Sequence, residues 1–152
     1  MEERKTTTSA IISFAEQFEH ESSEFYEKLA KMVKQNKEVF MAFAEEGRKN
    51  TRLIVRTYQE TISDALEASF SFETLNPNEY ITETDIIRET SHLHALETAL
   101  KLEKNAIKFY TDLAECSKSL LATIPRAFRR VAEERKKRIH KLQEILDQVR
   151  TA

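Results

Sequence analysis

Apolar residues return at alternating steps of three and four over most of the chain, the spacing that keeps one face of a helix turned toward its neighbours. Ile12, Ala15, Glu19, Ser22, Tyr26, Leu29 and Val33 form the first such stripe and predict a helix capped by Ser9 and running to about Met32. After a turn around Lys34 to Asn36, Val39, Ala42, Phe43, Glu46, Lys49 and Leu53 predict a second helix over roughly residues 37–66. A third begins near Thr84 or Asp85 and carries His92, Leu96, Ala99, Glu103, Ala106, Tyr110 and Leu113. Beyond a turn around Ser117 to Leu120, Thr123 as cap and Pro125 in the first turn introduce a fourth, with Ile124, Phe128, Val131, Glu134, Leu142, Ile145 and Val149. Between the second and third helices the rhythm breaks in SFSFETLNPNEYITETD, whose Asn-Pro-Asn turn suits a surface crossover. Such a crossover can return along the bundle and leave its two flanking helices parallel. The pattern predicts an all-α four-helix bundle over residues 9–150, preceded by a frayed polar arm at residues 1–8.

Each apolar stripe is interrupted by a glutamate, an unusual place for a carboxylate without a partner. The interruptions repeat. A shift of 84 positions lays Ala15, Glu19, Phe25, Tyr26, Leu29 and Ala30 on Ala99, Glu103, Phe109, Tyr110, Leu113 and Ala114. A shift of 88 lays Phe40, Ala44, Glu45, Glu46 and Lys49 on Phe128, Ala132, Glu133, Glu134 and Lys137. The chain therefore reads as two related hairpins, each with Glu-x6-Tyr on its first helix and Glu-x-x-Lys on its second. A pseudo-twofold axis between them brings four glutamates to one central level.

A length of 152 residues suits one domain with a substantial core. Lys plus Arg number 24 against 26 Asp plus Glu, and this near balance gives no electrostatic case for nucleic acid. The basic stretch RAFRRVAEERKKRIHK, with Arg126, Arg129, Arg130, Lys136, Arg138 and Lys141, is read as a solvated bundle surface because Glu133 and Glu134 interrupt it. No apolar run is long enough for a membrane span and no secretory leader is visible, so a cytoplasmic location is expected. A lone Cys116 rules out an internal disulfide and any four-cysteine metal knot. His20, His92, His94 and His140 are expected at the surface or at helix ends, His92 sharing the inward stripe of its helix but three turns from Glu103. Phe14, Phe18, Phe25, Phe43, Phe70 and Phe72 exceed what one narrow core stripe needs, which suggests a homodimer burying the extra faces.

The segments EHESSEFYEKLA, FAEEGRK, LEKNAIKFYTDLA and VAEERKK resemble the ferritin-like superfamily, and more closely its rubrerythrin branch, over about residues 10–150. The resemblance implies that Glu19, Glu46, Glu103 and Glu134 stand at the carboxylate ligand positions of a dinuclear iron or manganese centre. It also places Lys49 and Lys137 where the second and fourth helices of such proteins carry histidine, and Leu100 where a further glutamate is usual. The cysteine-rich rubredoxin module is absent. A lysine with an ordinary pKa of about 10.4 presents an ammonium and repels a metal ion. Three solutions for the four carboxylates stay open: an ammonium–carboxylate network with Lys49 and Lys137, a carboxylate-only metal site, or helix rotations that expose some of them. Tyr26 and Tyr110 lie two turns beyond Glu19 and Glu103 on the same faces, as core hydroxyl donors or as donors beside a metal. The expected function is a non-catalytic or scaffold protein of this type, with a Lys–Glu network replacing the dinuclear centre and no cofactor assigned. The alternative is a di-iron or di-manganese oxidoreductase acting on peroxide or oxygen.

Overall fold

The computed structural model describes residues 6–61, 71, 72, 75–86, 90–118 and 123–151. Four helices carry the architecture: α1 (Thr8–Met32), α2 (Lys37–Thr61), α3 (His92–Cys116) and α4 (Thr123–Thr151). The fold is an all-α four-helix bundle with a long crossover between α2 and α3, as the stripes predict. One short antiparallel pair joins it: β1 (Thr6–Thr7) lies against β2 (Ser71–Phe72), with Thr6 opposite Phe72 and Thr7 opposite Ser71. Among the described residues no helix is long and apolar enough to cross a membrane.

Helix starts differ from expectation where another hydroxyl, two residues away for α1 and about two turns away for α3, makes the better cap. Thr7, not Ser9, accepts the Ala10 amide at 3.1 Å, so α1 starts at Thr8 and the β1 pair extends into the segment expected to fray. Residues 1–5 of that arm lie outside the described residues, as does the expected last turn of α2 beyond Thr61. Helix α3 starts at His92 rather than near Asp85, because Ser91 accepts the His94 amide at 3.0 Å. The preceding chain is held against α3 by side chains: Tyr80 donates to Asp112 at 2.7 Å, and Asn105 donates to Thr82 at 2.6 Å. Those two bonds run from the C-terminal half of α3 toward its start. The crossover thus travels back along the helix it precedes.

The core has two apolar halves. At one end Ile11, Ile12, Ile54, Phe109, Leu113 and Phe128 come together, the start of α1 and α4 with the end of α2 and α3. At the other end lie Phe25, Leu29, Phe40, Leu96, Leu142 and Ile145. This distribution makes α2 and α3 run in the same direction, each opposite to α1 and α4. The phenylalanines that suggested a second copy are largely absorbed here: Phe18, Phe25, Phe43 and Phe72 are buried within the chain, and Phe14 packs edge-on against Phe109 at 5.3 Å. Phe70 lies outside the described residues.

Candidate functional site

Between the two apolar halves sits a layer of charge. Glu19 on α1 and Glu103 on α3 are completely buried, and so is Arg135 on α4, which reaches between them. Its Nη1 donates to both Glu103 oxygens at 2.6 and 2.7 Å, its Nη2 to Glu19 Oε2 at 2.5 Å, and its Nε to Glu19 Oε1 at 3.3 Å. Ser22, one turn beyond Glu19, takes a further bond from Nη2 at 3.2 Å. The two tyrosines cross over: Tyr26 donates to Glu103 at 3.0 Å, and Tyr110 donates to Glu19 at 2.8 Å. That exchange is what a pseudo-twofold axis requires of a Glu-x6-Tyr pattern used twice.

A second guanidinium completes the layer. Arg138, also buried, donates from Nε to Glu46 at 3.1 Å and from Nη2 to the Phe43 carbonyl at 3.1 Å, while its Nη1 lies 3.6 Å from Glu103. It rests over the rings of Phe43 and Tyr26 at 5.2 and 5.5 Å, and Arg135 over Phe18 at 5.7 Å, so the cations meet aromatic faces as well as carboxylates. Arginine suits this role because its planar fork stays charged and satisfies two carboxylates at once.

The electrostatics follow from burial. Burial opposes the Arg135 charge, but the Glu103 and Glu19 carboxylates outweigh it, and its pKa stands well above the ordinary guanidinium value. Burial, and then the neighbouring carboxylate, push both Tyr26 and Tyr110 well above the usual phenol range. Both are therefore neutral hydroxyl donors at any physiological pH. Outside the layer, burial and the bond to Asp112 raise Tyr80 likewise.

The sequence-predicted residues separate into two sets. Glu19, Glu103, Tyr26 and Tyr110 come together in the core. Glu46 and Glu134 do not: their side chains are 40% and 36% exposed and turn toward a cleft between α2 and α4, Glu46 to Arg138 and Glu134 to Arg130 at 3.7 Å. Lys49 and Lys137, expected as the core ammoniums, are exposed beside them. The cations of the core are Arg135 and Arg138, and the reading of Arg138 as bundle surface is corrected. His20, His92, His94 and His140 are all exposed, His92 as the first residue of α3.

The sequence did hold a signal for the arginines. Phe128, Val131, Arg135, Arg138, Leu142 and Ile145 step by three and four without a break, the predicted stripe of the fourth helix with Arg135 and Arg138 in the place given to Glu134. The repeat also points to them, since the shift of 88 that pairs Glu46 with Glu134 lays Gly47 on Arg135 and Asn50 on Arg138. One hairpin therefore supplies the guanidiniums and the other the room. A Cβ on Gly47 would press into Ser23 Oγ and lie 3.5 Å from Glu19 Oε2.

A dinuclear metal centre does not fit these donors. All four oxygens of Glu19 and Glu103 already accept hydrogen bonds, and a guanidinium spans the gap between them. Among the described residues no three His, Cys, Asp or Glu side chains converge as ligands.

No protein-family model and no curated protein matches the chain. Among solved structures it is similar to a Thermotoga maritima protein whose crystal structure is described as that of a candidate ferritin-like diiron-carboxylate protein, at 18% identity and a TM-score of 0.74, over 97% of this chain and 99% of that one. The likeness establishes a ferritin-like fold.

Proposed function

We propose that the protein is a non-catalytic, scaffold-type relative of the ferritin-like carboxylate proteins, in which a buried arginine–glutamate network takes the place of the dinuclear centre. The observation that carries this reading is Arg135, fully buried and bonded to both Glu19 and Glu103. Two carboxylates in a dry core need compensating positive charge, and here a side chain of the chain itself supplies it. Kinship with the rubrerythrin branch belongs to the same proposal, supported by the repeated Glu-x6-Tyr spacing at Glu19 and Tyr26 and at Glu103 and Tyr110. So does a cytoplasmic location, supported by the single cysteine.

Elemental analysis of protein expressed with iron and manganese supplied, and purified without chelator, tests the reading together with a peroxide-turnover assay. The expected result is no stoichiometric metal and no turnover. About two ions per chain, lost in Glu46→Gln and Glu134→Gln, would overturn it in favour of a carboxylate-bound di-iron or di-manganese site.

A further inference from the structure

The cleft between α2 and α4, with a volume of about 460 Å³, gathers the two Glu-x-x-Lys turns on facing walls. Lys49 and Lys137 line it, with Arg130 and Arg138, against the carboxylates of Glu46 and Glu134. The two arginines are paired to those carboxylates, so the two ammoniums are left as a formal charge of +2. Net positive charge on an exposed surface is by itself ordinary. A buried donor on the same lining makes this cleft different.

Asn50 is 2% exposed, and its Nδ2 has no hydrogen-bond partner among the described residues. Arg138 is 1% exposed, and its Nη1 faces Glu103 at 3.6 Å on the core side. A buried polar group without a partner is rare, and the Asn50 amide nitrogen is a donor. What it lacks is an acceptor. An acceptor-rich dianion would satisfy it and neutralise the two lysines.

We infer that the α2–α4 cleft is a phosphate site, taking either inorganic phosphate or the head of a small phosphomonoester. A tetrahedral dianion offers acceptors in several directions from one centre, which suits donors that line one cleft from two helices. The site uses the outward-facing half of the duplicated pattern.

Isothermal titration calorimetry of the full chain at low ionic strength, with sodium phosphate, glycerol 3-phosphate and malonate as separate titrants, tests the inference. Saturable binding of phosphate is expected, weakened about tenfold or more in Lys49→Gln/Lys137→Gln, whose positions are exposed and leave the core untouched. Lys141→Gln, outside the cleft, should bind as the parent does. The Asn50 side-chain amide should also shift in the NMR spectrum on addition of phosphate. Comparable affinity for both phosphates indicates the free ion; a preference for the ester indicates that its organic part fills the rest of the cleft. Absence of saturable phosphate binding, unchanged affinity in the lysine double variant, or tighter binding of malonate would each overturn the inference. Metal content tests the core reading separately, so the two failures are distinguishable.

Discussion

Replacing Arg135 with methionine removes the charge that lies between Glu19 and Glu103 while keeping much of the side-chain volume. Both carboxylates are wholly buried, and the guanidinium makes four bonds to them and one to Ser22. Breaking one buried ion pair by truncating a partner costs about 3–5 kcal/mol, chiefly because the remaining charge is stranded. Here two carboxylates are stranded, facing one another, and only the two tyrosine hydroxyls and the more distant Arg138 remain to support them. The loss should be at least about 3–5 kcal/mol at neutral pH, a large part of the roughly 5–15 kcal/mol typical of a folded domain. For a chain of this size that corresponds to a fall in Tm of about 6–20 °C.

The assay is thermal or urea unfolding followed by circular dichroism. Combining Arg135→Met with Glu19→Gln and Glu103→Gln should restore most of the stability, since neutral amides carry no charge to strand. Arg135→Lys should fall between, because a point charge cannot bridge both carboxylates in the plane of a guanidinium. An Arg135→Met protein within about 1 kcal/mol of the parent, in the absence of any bound cation, would refute the argument, for it would mean the two carboxylates are compensated by something other than Arg135.

Three further outcomes follow from the same geometry. Tyr26 and Tyr110 hold their protons in the folded state far above the unfolded value of about 10, so their contribution is complete below that pH and is lost as pH rises; stability should fall by about 2 kcal/mol more between pH 10 and 11 than in Tyr26→Phe/Tyr110→Phe, measured by urea unfolding. Gly47→Ala should destabilise by about 1–2 kcal/mol despite alanine's better helix propensity, because its methyl displaces the Ser23 hydroxyl from its 2.8 Å bond to the Ala44 carbonyl; adding Ser23→Ala should recover the loss in a thermal melt. A homodimer predicts a light-scattering mass of twice 17.8 kDa; a mass of 17.8 kDa would sink it, and the phenylalanines that suggested it are already packed within one chain.

How much of this was legible in the chain depends on which residue interrupts a stripe. On α1 and α3 the interruptions fall at unambiguous spacing, Glu19 between Ala15 and Ser22 and Glu103 between Ala99 and Ala106, and the tyrosines two turns on confirm the face. On α2 and α4 two registers compete. Glu46 and Glu134 match the ligand pattern of the resemblance, whereas the positions one residue further along, Gly47 and Arg135, with Asn50 and Arg138 one turn on, fit the apolar period better. A burial argument alone disfavours arginine in a core, which is why a basic stretch reads as surface. The decision belongs to the other two helices: once Glu19 and Glu103 are buried, the cost of a buried guanidinium becomes the means of neutralising them. Charge on one element thus sets the rotation of another, a constraint invisible to any single helix. The start of α3 was illegible for a related reason, since the chain before it is tied down by Tyr80 and Thr82 reaching Asp112 and Asn105, partners far along a helix that has not yet begun.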